Sequence, residues 1–409
     1  MRTRKMNKLT TLLGVVAFGL VSIFSSHAQV NMNKFVKLTV KPQAEIQLDF
    51  YASQKGEQIK IVSGENEVSV ELSDTWSTSP KKYVAHGETM TIYGNLVAIS
   101  CNKNKENISA IDVQNNKDLE RLYCQDNALT ALDVSQNKEL IALHCGGNKI
   151  SELDIKQNKK LTALACADLS LTSLDLSENR DLEFLICYKN KLKTLDVSNN
   201  TKLALLDCQT NELKILDISN NLELTQLTCS KNQLTSLDLS RNSKLEQVSC
   251  YDNQFSTQTI DDIYCSLNDR TGKRAGKIFP VFKKESANHE VVLKTNRKNA
   301  KNKNWQVLYR GLLNTEVETT GEYECKPVAI EKIRVGNESL IYPNPVSDVI
   351  SINTDSPIRE VKVYNMQGQE VAREYSSNGV NVAHLPTGTY SIEITFSNGE
   401  VYTSKVVKR

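Results

Sequence analysis

The sequence predicts a mainly β protein: a solenoid of stacked parallel strands with a β-rich N-terminal cap, an αβ C-terminal cap and a C-terminal β-sandwich. Three observations carry that prediction. Cys101, Cys124, Cys145, Cys166, Cys187, Cys208, Cys229 and Cys250 recur at a spacing of 23 residues once and 21 residues six times, and a fixed period in that range marks a solenoid. The segment before the array alternates apolar and polar residues with the period of two that strands require. The last 69 residues break into short alternating runs separated by glycine-containing turns, the layout of a sandwich.

The chain has 409 residues, 50 basic against 48 acidic side chains, 39% hydrophobic and 24% charged. That length accommodates roughly two to four domains. The composition is that of a folded protein, and the near-neutral balance argues against nucleic acid or an anionic membrane as the main partner. Residues 1–28 read as a signal peptide: Arg2, Arg4, Lys5 and Lys8 precede an apolar stretch from Leu12 to Phe24, followed by Ser26-His27-Ala28. An apolar stretch that short falls below the ~20 residues a bilayer span needs, although a retained anchor is the alternative. No cysteine follows the cut, so no lipoprotein anchor is indicated. The mature chain is expected to start near Gln29 and to leave the cytosol, and no later segment reads as a membrane helix.

Residues 29–95 form the expected β-rich cap, with Phe35 to Val40 and Val68 to Leu72 alternating in strand fashion and Thr91-Ile92-Tyr93 leading into the array. In residues 96–253 each 21-residue unit holds two similar phrases, Leu119-x-x-Leu122-x-Cys124-x-x-Asn127 and Leu129-x-x-Leu132-Asp133-Val134-Ser135-x-Asn137. Both read as short strands closed by an asparagine turn, with no helical pattern between them. This pattern resembles the leucine-rich repeat family, in its short nested bacterial form with cysteine in the strand, and the likeness covers about 158 residues. Two departures stand out: Lys105-Glu106 lengthens the first turn, predicting a small bulge, and Leu169 replaces the asparagine of the other turns.

Three columns follow from the stacking. Asn116, Asn137, Asn158, Asn179, Asn200, Asn221 and Asn242 form one asparagine ladder, and Asn127, Asn148, Asn190, Asn211, Asn232 and Asn253 another. Both read as structural, satisfying backbone groups in buried turns. The column cysteines read as small buried hydrophobes, since parallel side-chain vectors hinder stacked disulfides and a line of thiols does not make a zinc tetrahedron. Cys265 and Cys325 lie outside the column, and either a bridge or two free thiols is open. Asp112, Asp133, Asp154, Asp175, Asp196, Asp217 and Asp238 form the third column. Backbone N–H donors in the following turn are the expected relief for their mutual repulsion; bound calcium is the alternative.

Residues 254–335 are the αβ cap, with Ser256 or Thr257 opening a helix through Cys265, a strand around Ile278, a helical stretch over 288–303 and a strand at Trp305–Tyr309. Lys294, Arg297, Lys298, Lys301 and Lys303 make a basic run in a segment of 15 basic and 10 acidic residues. A solvated helix face is the expected reading, because no aromatic partners are interleaved for nucleic acid. Residues 336–409 resemble the type A sorting domain of type IX secretion. The likeness lies in Tyr342-Pro343-Asn344-Pro345, Val363-Tyr-Asn-Met-Gln-Gly368, Leu385-Pro-Thr-Gly388-Thr-Tyr390 and the basic end containing Lys405, Lys408 and Arg409. That resemblance implies the type IX secretion machinery as a partner, and a secreted protein or one on the outer-membrane surface of a Gram-negative bacterium.

No catalytic motif is apparent. The mature histidines His86, His144, His289 and His384 are scattered, and Gly272-Lys-Arg-Ala-Gly276-Lys277 is one residue short of a phosphate-binding loop. The expectation is therefore no enzyme and no cofactor. The Asp-Val-Ser phrase barely changes from turn to turn, whereas the residues flanking each cysteine vary. Packing fixes inward positions and leaves outward ones free for recognition, so Tyr123, His144, Phe184, Tyr188, Asp207 and Tyr251 are the candidate ligand contacts. The expected function is binding or adhesion to an extracellular protein or glycan, by a monomer. A structural envelope spacer without a ligand is the alternative.

Overall fold

The computed structural model describes residues 29–77, 79–311, 315–325, 341–342, 344–354, 357–365, 369–375, 378–397 and 401–409. The expected signal peptide, Pro343 and Gly368 lie outside the described residues. Two compact units divide the chain, one running to Leu171 and taking in Asp175–Cys187, the other made of Thr172–Leu174 and Tyr188–Arg409.

In the first unit, six antiparallel strands precede the coil: β1 (Phe35–Val40), β2 (Glu45–Tyr51), β3 (Gln58–Ser63), β4 (Asn66–Glu71), β5 (Lys81–Val84) and β6 (Thr89–Tyr93). The coil then supplies β7 (Ala98–Ser100), β8 (Ile108–Asp112), β9 (Arg121–Tyr123), β10 (Ala142–His144), β11 (Ala163–Ala165) and β12 (Phe184–Ile186). One sheet runs β4-β3-β6-β1-β8, and its alternating residues Val36, Leu38, Ile61, Met90 and Ile92 are buried. Strand β2 pairs antiparallel with β7, Phe50 opposite Ile99, so the cap shields the open edge of the coil. From β7 onward the strands are parallel and in register: Ile99, Leu122, Leu143, Leu164 and Leu185 occupy one buried row.

Cysteine follows each strand, and its N–H bonds the carbonyl of the next turn: Cys124 to His144 at 2.8 Å, Cys145 to Ala165 at 2.8 Å. The column cysteines are buried, and none of them is in a disulfide. Burial pushes Cys101 and Cys145 up to about 12, which keeps them as thiols.

The second phrase does not behave as expected. It forms a strand in the first turn alone, where β8 gains β1 as a partner; elsewhere among the described residues it is extended but makes no ladder. The reason is visible in the bonds. In the next turns that side carries one backbone bond, Lys149 N to Leu129 O at 2.8 Å, and a side chain takes the next donor, Leu129 N to Asn148 Oδ1 at 3.0 Å. An amide side chain standing in for a carbonyl holds the turns together without continuing the ladder.

Both asparagine columns bond across turns. Asn148 Nδ2 donates to the carbonyls of Cys124 at 3.0 Å and Cys145 at 2.8 Å. In the other column Asn158 Nδ2 donates to Val134 O at 2.9 Å and Asn137 O at 2.8 Å. The lengthened first turn keeps the pattern: Asn104 occupies the column position, bonding Cys101 O, while Lys105 and Glu106 bulge outward. At the exceptional turn Leu169 is buried instead, and Asp168 before it keeps the left-handed backbone of its counterparts. In all seven members of the aspartate column Oδ1 accepts the N–H two residues on, as from Ser135 to Asp133 at 2.9 Å. The Ser135 backbone N–H and hydroxyl hold Asp133 below the usual carboxylate range.

In the second unit β13 (Leu205–Asp207), β14 (Gln226–Thr228) and β15 (Gln247–Ser249) pair in parallel and in register. Helix α1 (Thr257–Ser266) follows, capped by the Ser256 hydroxyl accepting from Thr259 N. Strand β16 (Gly276–Val281) then pairs in parallel with β15, and after α2 (His289–Leu293) and α3 (Lys298–Lys301), β17 (Trp305–Tyr309) pairs with β16. The helix expected over 288–303 is thus two short pieces. Thr295 and Asn296 break it: the Thr295 hydroxyl bonds back to Val292 O, and Asn296 N is taken by the buried Asp261 carboxylate. Part of the basic run is consumed locally. Arg297 pairs with Glu316 and Glu318, and Lys303 donates to the carbonyls of Cys265 and Leu267 at the end of α1. Cys265 and Cys325 form a disulfide, tying α1 to the segment beyond β17.

The sandwich comprises β18 (Ile341–Tyr342), β19 (Val349–Ile352), β20 (Ile358–Tyr364), β21 (Glu370–Tyr375), β22 (Gly379–Asn381), β23 (Gly388–Phe396) and β24 (Val401–Lys408). Sheets β18-β19-β22 and β21-β20-β23-β24 enclose Ile350, Val361, Val363, Val380, Ile392 and Ile394. Of the expected sorting residues, Tyr390 is buried with its hydroxyl donating to Pro386 O at 2.7 Å, and it lies two residues beyond Gly388, where β23 begins. Tyr342 is exposed on β18, and Pro345 follows Asn344. Asn344 bonds Lys405 O and Val407 N. Lys405 and Lys408 therefore belong to a paired edge strand that Arg409 ends, not to a loose tail.

Two predictions follow from these contacts. Denatured, unreduced protein should titrate eight thiols after export; ten would exclude the Cys265–Cys325 bridge. Thr210 sits at φ +56° in the turn where another coil has Gly147, an unfavourable place for a β-branched residue. Thr210→Gly should raise stability by about 0.5–1 kcal/mol, read as a higher denaturant midpoint; a lower midpoint would contradict this.

Candidate binding site on the strand face

In a parallel in-register ladder, side chains at one position stack ~4.8 Å apart. The third strand residue makes the outward row Ser100, Tyr123, His144, Ala165 and Ile186 in the first unit. Tyr123 and His144 stack face to face, centroids 4.4 Å apart and planes 20° apart. Ser100, the register partner of Tyr123, is small, and Trp76 from the loop after β4 stacks on Tyr123 at 5.2 Å and 23°. Tyr51 on β2 meets Trp76 edge-on at 4.8 Å. Asp49 positions this loop by accepting from Ser77 N at 3.2 Å.

Arg121 completes the group. Its guanidinium donates to the Tyr51 hydroxyl at 2.6 Å and to Glu120 at 3.3 Å, and lies 5.9 Å from the Tyr51 ring centre. All four ring residues are half-buried, so each keeps part of its surface open to solvent. Burial lowers the His144 pKa, leaving its ring uncharged at neutral pH.

The other candidates fall elsewhere. Phe184 is 45% exposed on β12, in register with Ala163. In the second unit Tyr188 is half-buried. Asp207 is half-buried too; burial raises its carboxyl, which accepts from Gln209 N and Nε2 at 3.2 and 3.1 Å. Tyr251 is not an outward contact. It is 6% exposed because the cap covers it, with the Phe282 ring 5.3 Å away, and Ser230 and Ala167 at the same position are buried too. The position after cysteine is therefore partly a packing position.

Reading the repeat alone misses Trp76, Tyr51 and Arg121. The first two come from the cap, outside the repeat; the available signal was an alternating segment containing one of only two tryptophans in the chain. Trp305, the other, is buried, its indole N–H donating to Asn268 O. Among the described residues no group of three or more His, Cys, Asp or Glu is placed to hold a metal ion, and no helix is long and apolar enough to cross a membrane.

Residues 340–409 match the family of secretion system C-terminal sorting domains. Beta-agarase D of Zobellia galactanivorans is 35% identical over 92 residues, 22% of this chain; the chain spans about a fifth (19%) of that relative's length. Among solved structures, the functional domain of InlJ from Listeria monocytogenes, described as including a cysteine ladder, is 18% identical with a TM-score of 0.36, covering 80% of this chain and 94% of that one. A leucine-rich repeat protein of Leptospira interrogans is 23% identical at the same TM-score of 0.36, covering 37% and 42%. The fold assignment rests on the coil's own register rather than on these likenesses. The chain thus joins a parallel-strand solenoid, whose repeat pattern is similar to that of leucine-rich repeat proteins, to a C-terminal domain matching secretion sorting domains, and that tail indicates a secreted or cell-surface protein.

Proposed function

We propose that the protein is a non-enzymatic recognition protein at the outer surface of a Gram-negative cell, and that the ring row Tyr51, Trp76, Tyr123 and His144 is its ligand-binding face. The observation that carries this reading is the stack itself. The coil closes through its leucines, thiols and asparagines, so the two stacked rings of the outward row, Tyr123 and His144, and the Trp76 ring laid on them add nothing that closure requires. Half-open aromatic clusters beside an arginine are the composition of binding hot spots. The uncharged His144 and the Arg121–Tyr51 bond give the face polar handles among apolar rings. Phe184 extends the same face, whereas Tyr251 is excluded from it by burial.

The full chain, presented to an extracellular-protein array and a glycan array, should bind at least one probe saturably; a spacer would bind none. Replacing Trp76 and Tyr123 together by alanine should weaken that binding by more than ~1 kcal/mol, about fivefold in Kd, with the unfolding midpoint of the coil nearly unchanged. Unaltered affinity in the double variant would remove this face from the function.

A further inference from the structure

The basic run over 294–303 is not the solvated helix face that its sequence suggests. Folding splits it and sets one end against a loop from earlier in the cap. Asn304 Nδ2 donates to the carbonyls of Arg270 at 3.0 Å and Lys273 at 2.8 Å, which seats the turn 270–273 beside the end of α3. Strand β16 then runs so close to β17 that a Cβ at Gly276 would lie 2.5 Å from the Trp305 ring. Lys277 and Gln306 are register partners there. A pocket of about 180 Å³ opens between these pieces, lined by Ala275, Arg297, Lys301, Asn304, Gln306 and Glu316.

Residues 268–325 leave a surplus of cations at this pocket. Of their acids, Asp269 accepts from Thr271 N and feels the charges of Lys303 and Lys273. Glu285 pairs with Lys283, Glu290 lies 3.9 Å from His289, and Glu316 and Glu318 both go to Arg297. Glu322 and Glu324 flank Tyr323, whose carbonyl Asn296 and Asn299 bond. Three bases are also engaged. Arg270 pairs with Glu246, Lys303 donates to the carbonyls of Cys265 and Leu267, and Arg310 lies over the Phe279 ring. Among the described residues Lys273, Arg274, Lys277 and Lys301 form no ion pair, and these are the bases on the pocket lining and the loop that leads into it. Lys284, Lys294 and Lys298 are unpaired as well, but none of them lines the pocket.

We propose that this pocket binds a sulfate or carboxylate group of an anionic polysaccharide, with Lys273, Arg274, Lys277 and Lys301 as its cationic rim. Cations converging on a concave site raise the local concentration of an anion. Side-chain amides for the sugar hydroxyls stand in the same row: Gln247, Lys277 and Gln306 are successive register partners, and Gln306 is exposed. Nucleic acid is a poorer match. Trp305 is buried with its indole N–H on Asn268 O, so the pocket offers no ring for a base to stack on. A membrane surface is poorer too, because no exposed large apolar side chain among the described residues lies between 268 and 325. The ring row belongs to the first unit and takes no part in this site.

The test is binding of the full chain to dextran sulfate, polygalacturonate, neutral dextran, single-stranded DNA and anionic phospholipid vesicles, each at low and high salt. Dextran sulfate, polygalacturonate or both should bind saturably and more weakly at high salt, since exposed charges are screened; which of them binds identifies the anionic group. Neutral dextran should not bind. Lys273→Gln, Lys277→Gln and Lys301→Gln together should weaken binding at least about fivefold, and Lys301→Glu alone, at an exposed position, should act in the same direction. Removing the same number of charges through Lys283→Gln, Lys284→Gln and Lys294→Gln should leave binding nearly unchanged. The Trp76→Ala, Tyr123→Ala variant should bind as the unaltered chain does, which separates this site from the ring row. Equal losses in the two triple variants overturn the proposal, as does loss in the Trp76–Tyr123 variant. Tighter binding of DNA or vesicles than of either anionic polysaccharide, or no binding at all, overturns it too.

Discussion

Buried asparagine amides bridging successive turns are the interaction on which the rest of the structure depends. A coil this narrow turns twice per 21 residues, and each turn leaves carbonyls pointing into the space between layers. Water cannot reach them, and an unpaired buried backbone group costs roughly 1–3 kcal/mol. Asn148 answers three such groups at once: it donates to the carbonyls of Cys124 and Cys145 and accepts from Leu129 N. Asn232 repeats the arrangement in the other unit with Cys208, Cys229 and Leu213. The bonds join residues of adjacent turns, so they fix stacking register as well as local turn shape. In the second column the amides of Asn137 and Asn158 likewise bridge layers, while their Oδ1 atoms are buried without a donor. That imbalance shows how much of the residue's value lies in its donor side.

Register then determines what the surface can be. Once the central leucine and the cysteine of each strand point inward, the residues on either side of that leucine must point outward and align with their counterparts one layer away. Stacking of Tyr123 on His144 is a consequence of adjacency, and the small Ser100 and Ala165 leave places at both ends of the pair. Trp76 fills the first from the cap. The cap is thus more than a lid on the apolar edge, because it contributes two of the four rings and, through Asp49, fixes the loop that carries one of them. The other cap works the opposite way: by extending the sheet with β16 and β17 it buries Tyr251 under Phe282 and removes that position from the surface.

Much of this was legible in the sequence. A 21-residue period identifies the coil, its inward leucines and thiols, and the turn role of every aspartate in the third column. The sandwich follows from alternation and turn residues. What period alone could not convey was competition for hydrogen bonds. The Leu-Asp-Val-Ser phrase alternates like a strand, yet Asn148 takes the donor that a ladder would need, so only β8, paired with β1, becomes one. Residues 288–303 have a helical composition, but Asp261, far away in sequence, captures Asn296 N and splits the segment. The binding face was half legible for a related reason: Tyr123 and His144 are inside the repeat, whereas Trp76 and Tyr51 reach them from outside it.

The central claim is that asparagine bonding between layers, more than thiol burial, holds the coil in register. Equilibrium denaturation of Asn148→Ala and Cys145→Ala, compared in the full chain, tests it most directly, since both side chains sit in the same turn. Asn148→Ala strands two carbonyls and one N–H, so it should lower stability by at least ~2 kcal/mol more than Cys145→Ala, which removes one small buried atom. Equal losses, or a larger loss for the cysteine, would mean that burial sets the register and the asparagines merely fit it.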